Sequence, residues 1–370
     1  MKILIFNWQD IKNPFGGGAE VHMHEIFSRI AAQGHDITLG CCMFEGSPAE
    51  EIIDGIRVVR TGKRNFFNLL VKQFYKKLST EKKYDIVIDD INKIPFYMPR
   101  YVKEPLLAIS HHFFGKAIFR EAGLITGSYV WLAEKRVNRV YRNTPFVVVS
   151  DSTLNEFIER GFKREQITIV TNAIEQERFP MKVCEKFENP TVVYFGRLKK
   201  YKSVDHLVRA FALIAGKVPE ARLEFIGRGD FQPELMKLAD KLDIIDKVKF
   251  YGYVSEEEKA MLLSKSHIAV NTSIKEGWGI TNIEANACGT PVISANVPGL
   301  RDSVKEGLSG LLYEYGNIGQ LSELILRLIT GRQELMRLSE GAVQWAKTFS
   351  WDNSAELMLK RCEEVIAENI

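Results

Sequence analysis

The sequence predicts an α/β protein of two doubly wound domains, each a parallel sheet wrapped in helices. Three observations lead there. The chain has 370 residues, about the length of two domains. Short apolar runs alternate with amphipathic stretches through both halves, the pattern of strands separated by crossover helices. The polar stretch Glu185–Pro190, just before the apolar run at Val192, reads as a linker between two such series. The expected boundaries are therefore 1–184 and 185–351, with one more amphipathic helix over 352–370.

In the first half, Lys2–Asn7 reads as a strand and Gly16-Gly17-Gly18 as a loop. Ala19–Gln33 follows as a helix, with apolar residues at 23, 26, 27, 30 and 31 and Gly34 as its stop. Asp36–Cys41, Ile56–Arg60, Ile86–Ile88, Leu106–Ser110, Phe146–Ser150 and Ile167–Val170 are further strands. In the second half the strands fall at Val192–Phe195, Leu223–Ile226, Val248–Tyr251, Ile268–Asn271, Val292–Ser294 and around Leu311. Helices are expected at Val204–Ala215, Pro233–Leu242, Glu256–Ser264, Asn282–Ala287 and Gln320–Thr330. In open sheets of this kind ligands bind beyond the carboxyl ends of the strands.

Composition narrows the class. Hydrophobic residues make up 45% and charged residues 26%, ordinary for a soluble globular chain. No run approaches the roughly 18 apolar residues of a membrane span. The start Met1–Phe6 is apolar but is closed by Asn7, Gln9 and Asp10, too short for the core of a secretory signal. Five cysteines without paired spacing read as reduced thiols, neither a disulfide frame nor a zinc site, and suit the cytoplasm. Net charge is +3 but uneven: residues 57–143 hold 18 Lys/Arg against 7 Asp/Glu, a surplus of eleven, which leaves the remainder at −8. Two segments there, 63–78 and 129–142, mix cations with aromatic and apolar residues at helical spacing. They are either ordinary helices with one face in the core or a surface for anionic lipid, and the size of the surplus favours lipid. No nucleic-acid motif accompanies the charge.

The most informative stretch runs from Glu276 through Gly277-Trp278-Gly279-Ile280-Thr281 to Glu284, and on to Gly289-Thr290-Pro291-Val292. Two carboxylates stand eight residues apart on either side of a glycine loop that enters a helix. A helix start favours an anion such as phosphate, whereas carboxylates accept from hydroxyls. The order acid, helix start, acid therefore suits a ligand with a central diphosphate and hydroxyl-rich ends, the outline of a nucleotide sugar. Arg197 and Lys202 leave the preceding strand as two cations able to reach one diphosphate, the guanidinium by forking two oxygens. Gly227-Arg228-Gly229 follows the next strand and would let backbone come close to a ligand.

Together with Gly16-Gly17-Gly18-Ala19-Glu20, Gly34-His35, Asn172-Ala173-Ile174 with Phe179, Gly196-Arg197-Leu198, and Gly299 to Gly310, these residues resemble the retaining nucleotide-sugar glycosyltransferases of the GT-B fold, the glycosyltransferase family 4 type typified by sucrose and mannosyl transferases. The resemblance covers nearly the whole chain. It implies two Rossmann-like domains facing a cleft, with the C-terminal helix crossing back to the N-domain. It implies that Arg197 and Lys202 hold the diphosphate and stabilise the leaving group, that Glu276 contacts the donor sugar and that Glu284 holds ribose hydroxyls. Donor contacts would also come from Gly16, Gly17, Gly196, Gly227, Gly229, Gly277, Trp278, Gly279, Ile280 and Thr281, with the base near Arg228, Tyr253 and Val254. His111 matches the family's active-site histidine, with His112 the lesser of the pair. Asp90, Asn92, Lys93 and His112 are acceptor-side candidates.

The family uses cations and a helix start where other glycosyltransferases use a metal. Asp89-Asp90 is the nearest metal-motif look-alike, its spacing is wrong, and no metal or other cofactor is expected. The expected reaction is transfer of a hexosyl unit to a glycan or lipid-linked acceptor on the inner face of a membrane. The rivals are a nucleotide-sugar epimerase of the same fold and a catalytically inactive nucleotide-sugar-binding protein. Two departures from the family pattern stand out: Ser203 where a glycine often follows the lysine, and Ala173 in the Asn-Gly-Val position. His22 and His24 read as surface residues of their helix, His206 and His267 as structural, and Trp278 as either packing or a donor-site wall.

Overall fold

Runs of Val, Ile, Leu and aromatic residues become strands buried on both faces, as helix-covered parallel sheets require. In a computed structural model of the chain, every residue is described except Lys93, Lys116, Ala117, Ala122 and Ile370, with Arg120 and Glu121 described by backbone alone. The chain forms two units, Met1–Asn172 with Trp351–Ile370, and Ala173–Ser350.

The first unit holds β1 (Lys2–Phe6), α1 (Gly18–Ala32), β2 (Asp36–Met43), β3 (Glu50–Ile53), β4 (Ile56–Lys63), α2 (Phe67–Glu81), β5 (Ile86–Ile91), β6 (Leu106–Ser110), α3 (Ile118–Glu121), α4 (Leu124–Val140), β7 (Phe146–Val148), α5 (Asp151–Glu159) and β8 (Ile167–Ile169). Its eight-stranded sheet runs β3-β4-β2-β1-β5-β6-β7-β8. All pairings are parallel except the hairpin of β3 with β4. The strand order reverses between β1 and β5, whose register pairs Ile3 with Ile86 and Phe6 with Asp89. α2 shows how one stripe secures the unit: Phe67, Val71, Phe74, Tyr75 and Leu78 recur at helical spacing and are all buried. Each such side chain contributes about 2 kcal/mol of burial.

The second unit holds β9 (Thr191–Phe195), α6 (Val204–Ala215), β10 (Arg222–Ile226), α7 (Gln232–Lys241), β11 (Val248–Gly252), α8 (Glu256–Lys265), β12 (Ile268–Asn271), α9 (Ile280–Ala287), β13 (Val292–Ala295), β14 (Gly310–Tyr313), α10 (Ile318–Thr330) and α11 (Arg332–Ala346). Its six strands are all parallel in the order β11-β10-β9-β12-β13-β14. That is the Rossmann order, with its reversal between β9 and β12, where a ligand crevice is expected. The core packs Val192, Tyr194 and Phe225 of the sheet against Leu207, Phe211 and Ile214 of α6 and Ile325 of α10.

α12 (Trp351–Ala367) belongs to the first unit. There Asp352 pairs with Arg29 of α1 at 2.8 Å, Ser354 donates to the Thr171 carbonyl at 2.9 Å, and Trp351 lies edge-on to His22. The division between units differs from the sequence expectation: the chain crosses at Asn172/Ala173, not after residue 184. The polar stretch Glu185–Pro190 is no free linker. Lys186 is drawn into the second unit, donating to the carbonyls of Ser264 (2.9 Å) and Gly289 (3.0 Å) and to Thr290 Oγ1 (2.9 Å), and Phe187 N donates to the Lys265 carbonyl.

Asp89 and Asp90 part as neighbours on a strand must, to opposite faces of the sheet. Asp89 accepts from the Tyr141 hydroxyl and, at 3.4 Å, from Met98 N, while Asp90 accepts from Asn7 Nδ2 at 3.0 Å and pairs with His111 Nε2 at 3.1 Å. The two carboxylates do not converge on one point. Burial pushes the Asp89 carboxyl up to about 7. The unfolded chain ionises this group near 4, so between about pH 4 and 7 the folded state holds a proton that the unfolded state has released. Stability should therefore fall as pH rises through that window and level off above it. Asp89→Asn, neutral throughout, should lack this component. Urea unfolding at pH 5, 6, 7 and 8 checks it, and a wild-type-minus-variant difference that stays flat with pH would contradict it.

Candidate active site

In the second unit the two loops at the strand-order reversal carry the expected groups. The loop after β9 is clamped by its own backbone: Gly196 N donates to the Ile226 carbonyl (2.9 Å), Leu198 N to the Arg228 carbonyl (3.0 Å), and the Tyr194 hydroxyl to the Arg197 carbonyl (3.2 Å). The Arg197 side chain is exposed, its guanidinium donating to the Tyr201 hydroxyl at 3.3 Å. The Lys202 carbonyl accepts from Thr272 Oγ1 at 2.9 Å, and Ile274 N donates to the Tyr201 carbonyl, so the loop after β12 is tied to it. The ties bring Glu276 onto Lys202, whose ammonium donates to Glu276 Oε1. Residues 74 apart in sequence thus form one charged pair at the reversal.

Ser203, in the place where a glycine is usual, adopts φ +49°, the left-handed backbone that glycine favours. Its hydroxyl lies 2.8 Å from the Tyr315 hydroxyl. The turn is therefore kept at some strain, and the lysine beside it is placed regardless.

α9 starts at Ile280 behind Gly279, whose φ of +78° and missing side chain leave no cap over the first helical N–H groups. Asn282 fixes this start. Its amide donates to Ser303 Oγ (2.8 Å) and Ser294 Oγ (3.3 Å) and accepts from Asn271, which also donates to Thr281 Oγ1 (3.2 Å). Glu284, one turn in, accepts from Lys259 Nζ at 2.9 Å, and burial raises its carboxyl above the usual range.

Several expectations need correction. Gly227 and Gly229 are required by the neighbouring loop: a Cβ at Gly227 would stand 2.1 Å from the Gly196 carbonyl oxygen and one at Gly229 1.9 Å from that of Leu198. Trp278 is buried, edge-on to Phe349 with ring centroids 4.8 Å apart, so it packs the interior and forms no donor-site wall. Gly277 lies between it and Glu276, and Gly299 passes so close that a Cβ there would stand 2.0 Å from the Glu276 carbonyl oxygen. Tyr253 is exposed just past β11, Val254 is half-buried, and the Arg228 side chain lies over Gly252 beside them, so these three share one corner.

In the first unit the loops after β1, β5 and β6 gather a second cluster. Gly16 N donates to the Asn13 carbonyl (2.8 Å) and Gly17 N to Glu20 Oε2 (2.7 Å), and Asn92 Nδ2 donates to Glu20 Oε1 (3.0 Å). Behind them the buried Arg60 forks onto Asp10 (2.7 Å) and Glu51 (2.7 Å), and Asp10 accepts from Lys12 N (2.9 Å), which holds the glycine loop. His111 is buried, its ring on Asp90 and its carbonyl accepting from Thr153 Oγ1 at 3.2 Å. Asp90 is fully buried and so supports His111 instead of meeting an acceptor directly. Asn92 is engaged by Glu20. His112 lies against Phe114, ring centroids 4.5 Å apart and tilted at 57°, and Lys93 lies outside the described residues.

His22 and His24 are not surface residues. His22 is fully buried, edge-on to His111 at 5.2 Å and hydrogen-bonded to the Val170 carbonyl (3.2 Å), and burial lowers its pKa to about 3. His24 pairs with Asp54 at 2.8 Å. His267 Nδ1 accepts from Thr191 N and so serves the fold, and His206 packs against Tyr315. Sequence reasoning missed Lys259, Asn282 and the Asp10–Arg60 pair. The one available signal was position: Lys259 stands on the same helical stripe as Leu262 and Leu263, where an unpaired cation would not be buried.

Comparison with known proteins agrees with this architecture. The family described as "Glycosyltransferase Family 4" matches residues 16–178, and "Glycosyl transferases group 1" matches residues 175–345. A glycogen synthase of Mycobacterium tuberculosis is 23% identical over 387 residues, covering 96% of this chain and 92% of that one. A D-inositol 3-phosphate glycosyltransferase of Mycobacterium bovis is 34% identical over 185 residues, 48% of this chain and 38% of that one. Among solved structures, sucrose-phosphate synthase from Thermosynechococcus elongatus superposes with a TM-score of 0.80 at 19% identity over 99% of both chains. The Anabaena protein HepE, solved with UDP, gives 0.77 at 19% identity over 98% of this chain and 100% of that one. With one family matched along the first unit, the other along the second, and the same fold recurring over the full length, the chain belongs to the glycosyltransferases of the GT-B fold.

Proposed function

We propose that this glycosyltransferase is a retaining enzyme that moves a hexosyl unit from a nucleoside-diphosphate sugar to a glycan or lipid-linked acceptor without a metal ion. The observation that carries the proposal is the pairing of Lys202 with Glu276 at the reversal of strand order, with Arg197 on the same loop and the uncapped start of α9 nearby in sequence. Arg197 and Lys202 hold the diphosphate, Glu276 accepts from sugar hydroxyls, and Glu284 accepts from ribose. A neighbour of the same fold bound to UDP supports a nucleotide in this role.

As the bond between the sugar C1 and the phosphate oxygen breaks, positive charge grows on the sugar and negative charge on the diphosphate. Cations already fixed by the fold lower that barrier electrostatically. The acceptor oxygen bonds C1 from the same face, and its proton passes to the departing phosphate. His111, oriented by Asp90, contacts the transferred sugar, and the Gly16–Gly17 loop contacts the phosphates.

The acceptor reading follows from charge and exposure in the first unit. Lys63, Arg64, Lys72, Lys76, Lys77, Lys135, Arg136, Arg139 and Arg142 are all exposed, and Phe66, Leu69, Leu124, Ile125, Tyr129 and Leu132 are exposed among them. Such a face suits an anionic bilayer, and with it a peripheral place on the cytoplasmic side of the membrane.

The test is a thermal-shift screen of UDP-, GDP- and ADP-sugars, run with EDTA throughout and followed by assay of donor hydrolysis or transfer. One donor should raise Tm by mass action, and activity should survive chelation. No shift with any donor would overturn the donor assignment. Activity lost in EDTA and restored by Mg²⁺ or Mn²⁺ would overturn metal independence.

A further inference from the structure

Lys259 stands where a lysine is costly. It lies on α8, 5% exposed, and a buried ammonium needs counter-charges. It has two: Glu284 Oε1 at 2.9 Å and Glu256 Oε2 at 2.7 Å. Its ammonium also lies 5.0 Å from the centre of the Phe195 ring, at the end of β9, and 5.6 Å from that of Phe179. Phe195 immediately precedes Gly196-Arg197, so the same ammonium touches the strand that launches the cation loop and the helix that carries Glu284.

The two acids differ. Glu256 is largely exposed, whereas the Glu284 side chain is only 14% exposed. Only Oε1 of Glu284 is engaged by protein among the described residues. A carboxylate with one oxygen pinned by a cation and the other uncommitted is fixed in direction yet still able to accept. One ammonium shared between two carboxylates leaves a net negative charge, so the arrangement does not neutralise itself.

We propose that Lys259 is a positioning residue of the nucleotide site: it holds Glu284 ionised and aimed, so that the free oxygen accepts from the vicinal hydroxyls of the donor ribose. The inference rests on the reading that Glu284 holds ribose. It adds that the selectivity for ribose is set by a salt bridge from α8, an element that carries none of the expected donor residues. Burial raises the Glu284 carboxyl and the Glu256 charge adds to the rise, while the charge and hydrogen bond of Lys259 work against it, in keeping with this role.

The experiment measures dissociation constants of UDP and GDP, each against its 2′-deoxy counterpart, using the full chain and whichever base it binds. Wild type should prefer the ribonucleotide by about tenfold, the scale of one hydrogen bond to a charged acceptor. Lys259→Met should reduce the preference to about twofold, and Lys259→Arg should largely restore it. Lys259→Met combined with Glu284→Gln should be no worse than Glu284→Gln alone, because the lysine acts through the carboxylate. Lys259→Gln, a smaller perturbation, stands in if the Met variant does not fold, and should show the same loss. A preference kept in the Lys259 variants but lost in Glu284→Gln would overturn the proposal and leave Lys259 a tie between α8 and α9. A preference kept in Glu284→Gln would instead overturn the ribose assignment itself.

Discussion

Lys202→Ala is expected to lower turnover at saturating donor by a hundredfold or more, and to do more damage than Arg197→Ala. One preorganised donor to developing negative charge is worth on the order of 3 kcal/mol, and each 1.4 kcal/mol is about a decade in rate. Both cations supply that term. Lys202 has a second role, because its ammonium is the partner of Glu276. Its removal leaves a partly buried carboxylate without a counter-charge beside the diphosphate, which repels the charge that the transition state must gather. Arg197 is exposed and held by one hydroxyl, so its loss removes attraction without creating repulsion. Arg197→Lys should rescue little, since an ammonium cannot fork two oxygens. Glu276→Gln separates the terms: Lys202→Ala in that background should cost less than in wild type. Measurement of kcat and KM for the five variants decides. Unchanged kcat in both alanine variants would remove these residues from the chemistry.

The parts of the fold legible in sequence were those set by local pattern. The runs Ile86–Ile88 and Val192–Phe195 are continuously apolar because both faces of their sheets are covered, and helices such as α6 carry the stripe Val204, Leu207, Val208, Phe211. β3, Glu50–Ile53, was invisible: it is a short edge strand, half acidic, formed by pairing with β4 and not by its own composition. α11 was missed between two better patterns. The unit boundary failed for a similar reason. Polarity reports exposure, and Lys186 is polar yet fully engaged by three acceptors far along the chain.

The site was legible where residue type and spacing carry the chemistry, as with Arg197, Lys202, Glu276 and Glu284. It was illegible where direction decides. Trp278 sits inside the most informative stretch but turns its ring to Phe349. His22 sits on an amphipathic helix but faces His111 and α12, a segment more than 300 residues away in the chain. Gly227 and Gly229 read as a ligand loop, and the 2.1 and 1.9 Å that a Cβ would leave to the Gly196 and Leu198 carbonyl oxygens show that the neighbouring loop requires them as well.

The first unit is expected to bind vesicles of anionic lipid and not neutral ones. The surplus in residues 57–143 is not all available, since Arg60 is buried on Asp10 and Arg57 is paired with Glu50 and Glu81. The exposed cations of α2 and α4 remain, each contributing about 1 kcal/mol near an anionic surface and screened beyond about 8 Å at physiological salt. Phe67 cannot insert, being buried in the core, and Trp131 is half-buried under Lys135 with 3.5 Å from ammonium to ring centre. The apolar contribution falls instead to Phe66 and Leu69 at the start of α2 and to Leu124 and Ile125, 78% and 89% exposed, at the start of α4. Asn68 of α2 donates to the Tyr129 hydroxyl of α4 at 3.1 Å, which ties the two helices to each other. The two contributions separate by salt. Charge reversal at Lys72, Lys76 and Lys77 should weaken binding at low salt by reducing the long-range attraction. Leu124→Asp with Ile125→Asp should leave low-salt capture partly intact but remove what persists at high salt, because burial of apolar surface is not screened. Co-sedimentation with anionic and neutral vesicles at two salt concentrations reads both. Equal binding to neutral vesicles, or none to anionic vesicles at low salt, would discard the membrane and point to a soluble acceptor.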